Sequence, residues 1–403
     1  MKIALRQLEG SSPGYYLLLG ALAGVGMAGL GAAWAMEHYG HVVTGMNNQI
    51  VWGLPHVFAV FLVVAASGAL NIASMASVFG KTLYKPLAPL SGLLALALLL
   101  GGLGVLMLDL GRPDRLIVAM THYNFKSIFA WNVLLYSGFA GLVIAYLWTM
   151  MERRMNRYTA AAGMAAFLWR LALTTGTGSI FGFLVARQAY DSALLAPMFI
   201  VLSLSYGSAV FLLVLMAACR GSGRPIGLGL LGPLARLQLI FCAATLYFVL
   251  VYHVTNLYFT KHHDFERFIL LDGGIYTALF WLGQVLLGML VPIGLLLHPA
   301  TVQRSGAIAT AAALVILGAL AQMYVTIIGG QAFPLVLFPG RQVSSSFRDG
   351  MVGAYTPSLP ELLLGLGGVA LTGVILLLAL KLLDFLPERL DDLALNPQPA
   401  AAA

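Results

Sequence analysis

The chain is 403 residues long, 60% hydrophobic and only 9% charged, with a formal net charge of +7. A soluble domain carries about a quarter charged residues, so this composition excludes an ordinary water-soluble fold and points to an all-α polytopic membrane protein. The basic residues are dispersed over short loops with no recognition motif, which excludes a nucleic-acid binder, and two cysteines, Cys219 and Cys242, supply neither a disulfide framework nor a zinc or iron-sulfur ligand set.

Apolar stretches of roughly 20 residues, the length that crosses a bilayer, predict ten spans in packed bundles. In chain order they cover 14–36, 53–79, 86–108, 128–150, 163–187, 194–218, 237–259, 274–297, 307–330 and 361–383. Lys2 and Arg6 ahead of the first run resemble a secretory n-region, but the run is too long for a signal sequence and no cleavage site follows, so it reads as an uncleaved span. Forty-five glycines, with many Ala and Ser, suit close helix approach in lipid. The membrane domain is expected over 1–386, followed by a disordered cytoplasmic tail over 387–403 with little to pack.

Alternating the connections gathers Lys2, Arg6, Lys81, Lys85, Arg153, Arg154, Arg157, Arg170, Arg220, Arg224, Arg236, Arg304, Lys381 and Arg389 on the side of both termini, 14 of the 22 basic residues. The positive-inside rule then makes both termini cytoplasmic. The longer connections, 37–52, 109–127, 261–273 and 331–360, fall on the outer side, the periplasm of a bacterium, where a partner is expected.

The densest mixture of charge lies in Leu108 to Trp131, LDLGRPDRLIVAMTHYNFKSIFAW. Asp109 ends an apolar helix, Gly111 and Pro113 bend the chain, and Arg112, Asp114 and Arg115 follow at once, the pattern of a capped membrane exit leading into an ordered loop. A well-made interhelical turn explains the spacing equally well. The second span opens as Trp52-Gly53-Leu54-Pro55-His56. Proline in a first turn is tolerated, and it places His56 about 5 Å below the interface, where an imidazole can exchange hydrogen bonds and a proton with a quinone oxygen. The bland alternative is an interfacial histidine bonded to a backbone carbonyl.

Asp109, Arg187, Tyr252, His253 and Asn256 share that outer level. Glu37, His38 and His41 lie nearer the water and read as solvated loop residues; His262 and His263 next to Asp264 could suggest a metal site, but no second cluster at ligand spacing accompanies them, so they read as a wet loop. Asn71, Thr174, Thr175, Thr177, Ser179, Gln284 and Gln322 lie deeper, where interhelical hydrogen bonding is their ordinary use and a proton path the alternative. His56 and His253 fall near one depth but show no paired pattern, so no haem is expected.

The run LDLGRPDRLIVAM, then SIFAWNVLLY, resembles the NrfD/polysulfide-reductase membrane-subunit family. The stretch WGLPHVFAVFLVVAASGALNIASMASVFGK is most similar to the branch found in the Dsr complex of sulfur-oxidising and sulfate-reducing bacteria. The resemblance covers nearly the whole chain up to the tail. It implies a subunit of the bacterial inner membrane without a redox cofactor of its own, active as a quinol/quinone oxidoreductase only within a complex. Electrons would pass between menaquinone or ubiquinone and a periplasmic ferredoxin-like iron-sulfur subunit, with further cytochrome and membrane subunits present. By resemblance His56 is the quinone-contacting residue, and Asp109 and Arg112 match the element beside the site. Relatives carry a Tyr-Thr-Gly run where this chain has Ser179-Ile180-Phe181-Gly182, leaving Thr177 or Ser179 to supply that hydroxyl, and Met323 stands where an Arg is common. The competing readings are a secondary transporter, which would bind its substrate near the midplane between broken helices, and a passive anchor for peripheral redox subunits.

Overall fold

A computed structural model describes residues 4–9, 12–335 and 350–392. In chain order the helices are α1 (Pro13–Tyr39), α2 (Leu54–Ser77), α3 (Thr82–Leu108), the short α4 (Leu116–Thr121), α5 (Ile128–Met151), α6 (Thr159–Gly182), α7 (Leu195–Gly221), α8 (Leu228–Tyr258), the short α9 (His263–Arg267), α10 (Ile275–Leu297), α11 (Ser305–Ala332) and α12 (Leu359–Leu382). Nine of these, among the described residues, are long and apolar enough to cross a membrane. The expected span outside these nine is the fifth, α6, 24 residues long, whose glycines, hydroxyls and Arg170 dilute its apolarity while it packs against α5 and α7.

α2 is the hub of the bundle: 94% of its apolar stretch is buried, against 17% in α1 and α5. It packs on α3, α7 and α12. At the α2–α7 crossing a Cβ on Gly68 would sit 1.6 Å from the carbonyl oxygen of Ser203, so only glycine permits this approach. The helix breaks just beyond, at Leu70, between its α-helical segments Leu54–Ala69 and Asn71–Ser77. Side chains from α3 and α6 take up the freed backbone groups. Ser91 donates to Ala69 O and accepts from Ala73 N, and Arg170 reaches Ser67 O and the Asn71 side chain.

Arg170 is therefore not a loop cation on the terminal side, as the charge pattern suggested. It is buried halfway along α6, because the break in α2 offers acceptors that no lipid-facing position could. Two boundaries also move. The fifth expected span stops at Gly182 rather than Arg187, whose guanidinium leaves the helix to donate to Gln331 O and Gln49 O. α8 begins at Leu228 rather than 237, because the Asp392 carboxylate accepts from Gly229 N and caps its first turn from the far end of the chain.

That cap belongs to a clasp joining the two ends of the chain. Leu5–Arg6 (β1) pairs antiparallel with Leu386–Pro387 (β2), and Arg224 donates to Arg6 O, Gln7 O, Leu386 O and Pro387 O. Leu386 and Leu390 are buried. Residues 387–392, expected in the tail, are thus held in this clasp, and residues 393–403 lie outside the described residues, as do 336–349 of the 331–360 connection. The opposite end of the bundle carries His56, Asp109, Arg187 and Glu266.

Candidate functional site

His56 is the third residue of α2 and Asp109 is the C-cap of α3, so two adjacent spans bring their polar ends together. His56 Nδ1 lies 2.7 Å from Asp109 Oδ2, an ion-pair contact that departs from the line of a straight hydrogen bond; the Asp109 side chain is 1% exposed and that of His56 18%. A carboxylate at a helix C-terminus faces the negative end of the helix dipole, so Asp109 is held there against its own helix and favours a positive partner. With Nδ1 committed to Asp109, Nε2 is the nitrogen left for a ligand. Trp52 stacks on the imidazole at 5.9 Å and 18°, and is itself held edge-on by Phe129 and Phe181.

His56 and Trp52 line a cavity of about 670 Å³ bounded by α2, α3, α5, α6 and the connection carrying α4. Its walls are mainly apolar, from Leu103, Met107, Leu116, Met120, Phe129, Ile180 and Phe181. A few polar groups break that surface: Asn132, Tyr136, Thr177 and His122. Asn132 donates to Ile128 O and Gly176 O, while its Oδ1 is buried without a partner among the described residues. Its size and its mix of apolar wall and few oriented polar groups are those of a small-molecule site.

Of the five expected site residues, the fold places His56, Asp109 and Thr177 at this cavity or directly behind it. Thr177 Oγ1 donates to Leu173 O, and the Ser179 hydroxyl turns back to Thr175 O, away from the cavity wall. Arg112 faces solvent, 64% exposed, in a two-pronged pair with Asp114 at 3.0 and 2.9 Å. That pairing draws the Asp114 carboxyl below the usual carboxylate range and raises the guanidinium. Asn132, Tyr136 and His122 escaped the sequence reading; lone polar residues one turn apart in the apolar α5 were the available signal for the first two. His262, expected in a wet loop, is buried with Nδ1 2.9 Å from Gln188 O. Met323 is fully buried in α11.

The other polar groups of this end are separate from the cavity. His253 Nδ1 contacts Glu266 Oε2 at 2.6 Å, and Tyr252 donates to Ala189 O. Glu361 is fully buried and accepts from Gly45 N, Ser358 N and the Tyr355 hydroxyl, a fold-holding knot that includes a Ser358/Glu361 capping box.

Residues 42–335 match the family described as Polysulphide reductase, NrfD. The protein is 30% identical to the Hdr-like menaquinol oxidoreductase integral membrane subunit of Archaeoglobus fulgidus over 395 residues, 96% of its own length and 98% of the relative. It is 28% identical to a putative dimethyl sulfoxide reductase membrane subunit of Halobacterium salinarum, covering 91% of its own length and 90% of that one. A polysulfide reductase polypeptide of Wolinella succinogenes is 25% identical over 71% of the protein and 96% of its own length. A family match over most of the sequence and a relative aligned end to end make this an integral membrane protein of the NrfD, polysulphide reductase family.

Proposed function

We propose that the protein is the quinone-interacting membrane subunit of a multi-subunit electron-transfer complex, with the quinone head in the cavity beside His56. The observation that carries this reading is the His56–Asp109 pair at the polar end of a largely apolar cavity of about 670 Å³. A flat ring with two oxygens and an isoprenoid tail suits such walls, and Asn132, Tyr136 and Thr177 among the lining residues add the few polar groups such a head needs. Relatives named for a menaquinol oxidoreductase and a polysulfide reductase support both the ligand class and membership of a complex.

Bound quinol supplies two electrons and two protons. His56 Nε2 accepts a hydroxyl proton, Asp109 orients the ring through Nδ1 and favours the imidazolium that results, and Trp52 fixes the plane of the imidazole. Two cysteines cannot ligate a cluster, so the electrons pass to or from a partner, which we take to be a periplasmic ferredoxin-like iron-sulfur subunit, with cytochrome and further membrane subunits beyond it. In this reading the protein sits in a bacterial inner membrane with both termini cytoplasmic and the cavity toward the periplasm, in a sulfur-metabolism complex. The broken α2 and Arg170 do not make a transporter's midplane site, since Ser91, Asn71 and Arg170 already fill the break.

The test is quinol oxidation by the purified complex together with the identity of what co-purifies. His56→Ala is expected to slow turnover by about 10² to 10⁴. Unchanged turnover, or a complex lacking any iron-sulfur partner, overturns the reading.

A further inference from the structure

The other half of the bundle repeats the histidine–carboxylate construction on a smaller scale. His253, near the end of α8, holds Glu266 Oε2 at 2.6 Å, and Asn256 Nδ2 donates to Oε1 at 2.8 Å. Glu266 is fully buried although it lies on the short connecting helix α9, and Phe280 packs against the imidazole at 4.7 Å. His56 opens onto a space of about 670 Å³, whereas His253 opens onto one of about 40 Å³. A water needs roughly 10–15 Å³ by this measure, so the second space admits about three waters and no organic ring.

The walls are polar where water would need them. Gln284 and Thr326 come from two π-helical stretches, Leu279–Leu290 and Val325–Gly329, and Gln322 from the turn before the second. Such turns shift backbone groups out of register and recur at functional sites. The polar surface then continues inward along the α7–α8 seam. Tyr206 donates to Gln322 Oε1 at 2.6 Å, and Cys242 and Gln238 on α8 meet Ser205, with Thr245 buried on the same helix. From His253 to Gln238 the helix axis covers roughly 22 Å at 1.5 Å per residue.

Three buried atoms on these two helices, Thr245 Oγ1, Gln238 Oε1 and Ser208 Oγ, have no hydrogen-bond partner among the described residues. Each such group away from water costs about 1–3 kcal/mol, and nothing in lipid relieves it. The three lie inward of the water-sized space and not on its walls, along a seam that Tyr206 joins to that space through Gln322, and ordered water is the one partner that would satisfy all of them. We propose that this seam holds a file of ordered water and that the His253–Glu266 pair at its outer end is a second proton-exchange site, separate from the cavity beside His56.

The charged neighbours leave the pair to itself. On the elements packed around it, Lys261 is paired with Asp191 and Arg267 with Asp272. His262 is bonded to Gln188 O, His263 to Leu257 O and Tyr252 to Ala189 O; Asp264, Tyr206, Tyr247, Tyr258, Tyr276 and Tyr324 are further titratable groups on those elements. The inference does not depend on what occupies the larger cavity.

Two measurements on the intact complex test it. In infrared spectra recorded as differences between acid and alkaline pH, one carboxyl band sensitive to D2O is expected to vanish in Glu266→Gln and to return in Glu266→Asp; identical wild-type and Glu266→Gln spectra overturn the exchange site. Hydroxyl radicals generated from bound water by X-rays should modify wild-type Tyr206 several-fold faster than the equally buried Tyr146. Equal rates mean a dry seam and overturn the proposal even if the variants fail to fold.

Discussion

Replacing Asp109 by Asn keeps the shape of the side chain behind His56 and removes its charge. At 2.7 Å and an effective dielectric constant of about 20, Coulomb's law gives the charged pair about 6 kcal/mol. Water reaches the pair, because the His56 side chain is 18% exposed, so about a third of that, ~2 kcal/mol, is the share we assign to stabilising the imidazolium after proton transfer. At 1.36 kcal/mol per decade this is a slowing of about thirtyfold. The assay is steady-state quinol oxidation by the purified complex, with thermal unfolding confirming that the variant is folded. If the two residues act as one unit, His56→Ala combined with Asp109→Asn is no slower than His56→Ala alone. Turnover of folded Asp109→Asn within about twofold of wild type would refute the reasoning, because the carboxylate would then be serving the fold and not the proton.

Gly68→Ala forces a methyl against the Ser203 carbonyl, which is backbone and cannot swing aside, and is expected to lower stability by about 3 kcal/mol in detergent melts, while Gly24→Ala, with nothing within 4 Å, is neutral or slightly stabilising. Arg170→Ala strips the α2 break of its donors to Ser67 O and Asn71 and is expected to cost about 2–3 kcal/mol; recovery of the wild-type melting temperature by Arg170→Met would show that only packing was lost. Burial and the Glu361 carboxylate raise the Tyr355 hydroxyl above its ordinary value of 10.0. A group raised in the folded state contributes stability that is whole below its unfolded value, so melting temperature should be flat to about pH 10 and fall above it, and Tyr355→Phe should flatten that fall.

His56 and Asp109 were legible because each sits beside backbone punctuation, Trp52-Gly53-Leu54-Pro55 before one and Gly111 with Pro113 after the other, which fixes depth from local sequence alone. Their pairing was not written there, since it depends on which two helix ends meet. Arg112 misleads for the converse reason: the motif places its backbone near the site, yet Asp114 two residues on captures its side chain. Arg170 looked like a loop cation because hydropathy counts a buried guanidinium against a span, and only the break in α2 makes it tolerable inside. Glu266 drew no reading from the sequence, for want of any local sign that α8 and α10 would close over it. The cap of α8 by Asp392 spans 163 residues, so no window of local sequence contains it.

α1 packs mainly on α12, down to the hydrogen bond from Tyr15 to Leu377 O across 362 residues. During synthesis α1 reaches the bilayer long before its mate exists, and it must wait there as a solitary rod. Its mostly lipid-facing surface makes that wait harmless, whereas α2, wrapped on every side, needs neighbours as soon as it inserts. A ribosome stalled after α11 would therefore leave the hub of the bundle partly formed with α1 still adrift beside it, and the clasp between the two ends is the contact that can close only when the rest is in place.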